Sequence, residues 1–172
     1  MAFPVPKDVR TTRDFELVFG QDELLRQSMA IFDLTKPIDV GEWLKPVTSG
    51  GFTKASKLIT AVDTLAAPAL GARVSWTRYR QGDANQGQSD ALATGKVDIL
   101  SGTYQAKTKI YDTASVLFAP GRLLVAKHDT VSDRGFLDAL DPATATIRQL
   151  QAVVGRCIEV AAGVLHYESP GL

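Results

Sequence analysis

The stretch from Gly95 to Lys127, GKVDILSGTYQAKTKIYDTASVLFAPGRLLVAK, limits the fold more than any other part of the chain. Val97 and Ile99 point one way, and Lys96 and Asp98 the other. Beyond a turn at Ser101-Gly102, Tyr104, Ala106, Thr108 and Ile110 share a face, opposite Thr103, Gln105, Lys107 and Lys109. Period-two alternation is the mark of a half-buried antiparallel strand. A slip of one residue would bury Lys107 and Lys109, so the register is well specified. After a second turn at Pro120-Gly121, Leu123, Leu124 and Val125 form a continuous apolar run, as in a strand buried on both faces.

The rest of the chain reads as further short strands around this stretch. Residues 1–13 read as an extended arm or as a frayed terminus: Pro4 and Pro6 fix φ and remove two amide donors, and the residues before them are pushed to extended geometry. Phe3 and Val5 give the arm apolar groups to insert into a neighbour. Between Gln21 and Leu34, Leu25, Met29 and Phe32 fit a helix, while Leu25, Met29 and Ile31 fit a strand face. Gly41–Val47 reads as a strand with Pro46 at an edge or an end, because proline cannot donate to a ladder. Ser49-Gly50-Gly51 is a turn, and 52–62 a strand pair or a strand plus a turn. Residues 66–71 form a loop. Arg73–Thr77 alternates, with Val74 and Trp76 on one face, and 80–90 is a polar loop. Asp141-Pro142 has the form of a helix start, with Ile147, Leu150 and Val154 as its stripe. The β-branched Thr144, Thr146 and Ile147 count against that helix, so 142–154 stays open between helix and strand. Val153–Val160 and Val164–Glu168 make a closing hairpin. The expected fold is mainly β: one antiparallel β-barrel or sandwich-like domain over 14–172, an extended arm over 1–13, and few short helices.

Composition narrows function mostly by exclusion. A chain of 172 residues suits one domain. Lys+Arg and Asp+Glu both total 19, so no basic face for a nucleic-acid backbone is expected. Zero net charge favours association. One cysteine, Cys157, allows no internal disulfide and reads as a small core residue. The first residues lack the pattern of a signal peptide, and no apolar run reaches the ~20 residues needed to cross a bilayer. A protein made in the cytoplasm, with no membrane partner, is the expectation.

Motifs with chemistry are sparse. Gly82–Ser89 has the glycine spacing of a phosphate loop, but Gln88 stands where lysine is needed. Asp83, Asn85 and Asp90 lack the rest of a calcium loop. His128 sits in a polar turn and His166 alternates with Leu165 and Tyr167, with no zinc pattern. No Gly-x-Ser-x-Gly elbow presents a serine. No catalytic, metal or cofactor residue is assigned, and no enzyme activity is expected. Trp43 and Trp76 read as core residues or as interface anchors.

Gly41-Glu42-Trp43, Gly95–Gly102, Lys107–Asp112, Pro120–Leu123 and Val154–Glu159, taken in order, resemble a tailed-bacteriophage capsid decoration (cement) protein or a related accessory virion protein. The resemblance spans residues 40–168; 80–90 and 128–150 have no counterpart in it. It implies a β-barrel-like domain on the capsid exterior that binds the major capsid protein and stabilises its lattice. It also implies a homo-oligomer, a dimer or a trimer. Phe3, Pro4, Val5, Pro6, Trp43 and Trp76 are the candidate partner contacts. A tail or neck subunit, and a small-ligand-binding β-barrel, are the competing readings.

Overall fold

The computed structural model describes residues 11–12, 14–19, 25–31, 33–47, 52–54, 63–77, 79 and 95–170. The strands are β1 (Thr11–Thr12), β2 (Phe15–Phe19), β3 (Leu25–Ala30), β4 (Trp43–Pro46), β5 (Phe52–Lys54) and β6 (Arg73–Ser75). They continue with β7 (Lys96–Ser101), β8 (Thr103–Thr108), β9 (Leu123–Asp129), β10 (Arg134–Ala139), β11 (Val153–Ala161) and β12 (Val164–Pro170). Among the described residues one short helix, α1, covers Ile147–Gln151. The strands form a 12-stranded sheet in the order β1-β2-β8-β12-β11-β9-β10-β4-β6-β7-β3, with β5 on β4. Every pairing between these strands is antiparallel. The mainly β expectation therefore holds. β1 and β3 end the order among the described residues, so the sheet is sandwich-like rather than a closed barrel.

The alternation in β8 has the expected result. Tyr104, Ala106 and Thr108 are buried, and Gln105 and Lys107 lie on the other face. The turn at Ser101-Gly102 does something the local sequence does not reveal. β7 and β8 do not pair: β7 lies between β3 and β6, and β8 between β2 and β12. Gly102, at φ 104, is thus a corner where the chain leaves one half of the sheet for the other. The halves close on one core. Trp43, Val74, Trp76 and Leu100 from one side pack with Phe15, Leu17, Tyr104, Leu124, Leu165 and Tyr167 from the other. The Tyr167 ring stands 6.2 Å from Trp43 and 6.1 Å from Tyr104, in tilted and edge-on contacts.

β9 is buried on both faces, as its apolar run predicts. Leu124 and Ala126 enter the main core, while Val125 joins Leu140 and Ala152 behind it. A third cluster holds Ile31, Ile38, Leu44, Tyr79, Val97 and Ile99. The closing hairpin pairs Ala161 with Val164, and both turn residues, Ala162 (φ 51) and Gly163 (φ 73), have the positive φ that a type I′ turn needs. Pro46 is the last residue of β4. Met29 lies on a strand, β3, which resolves the ambiguity over 21–34 within the described residues.

The expected helix start needs correction. The helix is not started by Asp141. That carboxylate accepts the Ala143 N–H at 3.0 Å, and the Asp141 carbonyl accepts the Thr144 N–H at 3.2 Å, which closes a turn. Thr146 is the true cap and forms a capping box with Gln149. The predicted apolar stripe does not form: Ile147 is 77% exposed and Leu150 50%, while Val154 belongs to β11. The tryptophans take the core reading of the two that the sequence offers. Trp43 is 2% exposed and Trp76 1%, so neither ring reaches the surface of the chain. Of the expected arm, Thr11 and Thr12 pair with β2, and 1–10 and 13 lie outside the described residues.

Candidate functional site: a lysine between two carboxylates

A lysine flanked by two carboxylates sits where β9 and β10 meet the segment at Asp112. β10 runs beside β9 with Phe136 opposite Lys127 and Asp138 opposite Val125. Leu137 and Ala139 enter the main core, so by alternation Phe136 and Asp138 share the other face with Lys127. A third segment docks on β10. The Asp112 N–H donates to the Leu137 carbonyl at 2.8 Å, and the Leu137 N–H to the Ile110 carbonyl at 3.2 Å. This places Asp112 against Lys127.

Lys127 Nζ then lies 2.6 Å from Asp138 Oδ2 and 2.8 Å from Asp112 Oδ2. It also stands 5.2 Å from the centre of the Phe136 ring. Asp138 is 1% exposed, and its second oxygen, Oδ1, accepts the Ala139 N–H at 2.7 Å. Asp112 Oδ1 accepts the Ala114 N–H at 3.0 Å. One ammonium and two carboxylates leave the group with a formal charge of −1. Burial pulls the Lys127 pKa down, but the hydrogen bonds and charges of Asp112 and Asp138 outweigh it, and the net shift is upward.

Beside this group opens a cleft of about 390 Å³, lined in part by Asp63, Leu65, Asp112, Lys127, His128 and Phe136. Asp63, 4% exposed, accepts Lys45 Nζ at 2.5 Å. Burial raises its pKa, against the pull of Lys45. His128, expected in an exposed turn, is the penultimate residue of β9, with a side chain only 16% exposed. Its Nε2 is 3.4 Å from Asp133 Oδ1, and Lys36 Nζ is 2.8 Å from Asp133 Oδ2. The Lys36 hydrogen bond lowers the Asp133 pKa.

A second groove, about 430 Å³, lies on the outer face of β2, β8, β12 and β11. Glu16, Lys107, His166 and Glu159 cross it in one row, each opposite the next. His166 is therefore on the outward face, as its alternation predicts. Its Nδ1 is 3.8 Å from Glu159 Oε1. Cys157 is 1% exposed, and burial raises its thiol pKa, which suits a core residue. No group of three or more His, Cys, Asp or Glu that could hold a metal occurs among the described residues. No helix among them is long and apolar enough to cross a membrane.

Phe3, Pro4, Val5 and Pro6 lie outside the described residues, as do the loop 82–89 and Asp83, Asn85 and Asp90. Among the described residues the most exposed large apolar groups are Val116 and Val131, each 94% exposed, followed by Ile147 and Leu150. Sequence reasoning missed the Lys127 group. Its signal was present in part: Asp138 interrupts the apolar run Phe136–Leu140, and a charge there is rarely buried unless paired, whereas Lys127 opens the polar end of β9. No family model, curated protein or solved structure matches the chain.

Proposed function

We propose that the chain is a structural virion protein that binds the outside of a phage capsid and stabilises the major capsid lattice. In this reading it works as a homo-oligomer and its partner is the major capsid protein. The observation that carries the docking role is that apolar side chains are held outward by ordered backbone. The Val131 and Ser132 amides donate to the Asp129 carboxylate at 3.0 and 3.2 Å, so Val131 stands on a fixed turn. Val116 follows a segment closed by Ala114 N–H to Asp112 Oδ1 and Ser115 N–H to Asp112 O. An apolar group on a fixed turn loses little entropy when it docks. The capsid as partner comes from the resemblance of the quoted segments to decoration proteins.

A tail or neck subunit would use the same outward groups, and a small-ligand-binding role draws support from the groove on β2, β8, β12 and β11. One experiment separates the three. Purified protein is incubated with expanded, undecorated heads and sedimented. Co-sedimentation, weakened by Val131→Asp and Val116→Asp and by deletion of residues 2–8, supports the decoration role. Protein left in the supernatant refutes it. Rings or tubes formed alone indicate a tail component. A stable monomer whose melting point rises with a metabolite indicates a ligand-binding domain.

A further inference from the structure

We propose that Lys127 and Asp138 join through an amide bond between their side chains, formed by the folded chain itself. The geometry holds the parts that such a condensation needs. The amine nitrogen is 2.6 Å from one oxygen of the acid it would attack. Asp138 is 1% exposed, so the bond that would form is shielded from bulk water. A proton passed from the Lys127 ammonium to Asp138 yields a neutral amine beside a neutral carboxylic acid. The hydrogen bonds and charges that raise the Lys127 pKa hold this proton on the nitrogen at rest, so the transfer is the uphill first step.

The step balances without a co-reactant. Lys127 Nζ forms a bond to Asp138 Cγ, and the electron pair of the carbonyl moves to Oδ1. The Ala139 N–H, 2.7 Å from Oδ1, donates to the oxygen on which that charge develops. Asp112, 2.8 Å from Nζ, takes a proton from the nitrogen and returns it to the departing hydroxyl. The bond from Cγ to that oxygen breaks, and one water leaves. Nothing is oxidised or reduced. Phe136 flanks the nitrogen, and the adjoining cleft gives the water a way out.

The roles are distinct. Asp138 is the electrophile because it is the more buried of the two acids: its side chain is 2% exposed, against 21% for Asp112. Asp112 is the proton carrier. The bond would tie β9 to β10 beyond their backbone ladder, which suits a protein that must hold its shape under load.

Intact-mass measurement of the full chain tests this, after prolonged incubation of the folded protein near neutral pH, where the pair keeps the proton that the step needs. The expected product is lighter by one water. Trypsin should then fail to cut after Lys127 and yield a branched peptide joining 123–134 to 135–148. Asp112→Asn and Lys127→Arg should each restore the full mass, with a folded state confirmed by circular dichroism. Full mass and normal cleavage at Lys127 in the incubated wild-type chain would overturn the proposal. A branch to Asp112 would overturn the assignment of Asp138, and a branch that persists in Asp112→Asn would overturn the role of the carrier.

Discussion

Replacing Gly41 with alanine puts two separable costs on one position. Gly41 has φ +83, where an L side chain is strained by about 1–2 kcal/mol. Its added Cβ would also lie 2.5 Å from Phe15 Cβ and 2.7 Å from Phe15 Cγ. Phe15 is 1% exposed within the main core, so its ring has nowhere to swing. The Gly41 N–H donates to the Ser75 carbonyl at 2.9 Å, which pins the backbone from the other side. Overpacking of this kind costs about 1–3 kcal/mol. The sum for Gly41→Ala is about 2–5 kcal/mol. Gly121 supplies the control: its φ is +84, and an added Cβ meets nothing within 4 Å. Gly121→Ala should therefore cost only the strain, about 1–2 kcal/mol. Urea denaturation followed by the fluorescence of the buried tryptophans reads both variants, through the midpoint at unchanged slope. Equal losses for the two variants would refute the account of the Phe15 contact.

Three further outcomes are expected. Burial pushes the Tyr104 pKa from 10.0 up to about 12, and that of Tyr167 well above 10.0. A raised folded-state pKa gives stability that is intact below pH 10 and lost as pH climbs through the folded value, so Tyr104 alone should withdraw about 3 kcal/mol by that point. Denaturation midpoints against pH should show this decline, and Tyr104→Phe should flatten it; a decline unchanged in Tyr104→Phe counts against the assignment. Asp129 has its pKa lowered: burial opposes ionisation, but the Ser132 hydroxyl and the Val131 and Ser132 amides outweigh it. Its stabilising contribution is present above pH 3.8 and disappears as pH falls through the lower folded value. Asp129→Ala should cost about 1 kcal/mol at neutral pH, as measured by urea denaturation, and little in strong acid. Trp43→Ala should cost about 3–5 kcal/mol through the cavity it leaves, measured in the same way. A near-neutral result would remove Trp43 from the core.

Much of the local structure was legible because alternation and turn chemistry act over a few residues. The faces of β8, the double burial of β9, the end position of Pro46 and the closing hairpin all follow from near neighbours in the chain. The pairing was not legible. β8 takes one neighbour from 15–19 and the other from 164–170, and no local pattern encodes partners so distant. The helix start failed for a related reason. Asp141 and Thr146 both offer a side-chain oxygen, and tertiary contacts, including the Gln149 amide on the Leu65 carbonyl at 2.8 Å, decide between them. The Lys127 group was half legible: the single charge of Asp138 inside an apolar run is visible in sequence, but the arrival of Asp112 depends on the Tyr111–Leu137 bridge.

The placement of β8 between β2 and β12 also sets a timetable. As the chain leaves the ribosome, β8 emerges with only β2 to pair with, and its other edge stays bare until residues 164–170 have been made. The sheet cannot be completed piecemeal from the N-terminus, so nascent chains that stall before residue 164 carry an open strand edge that invites aggregation.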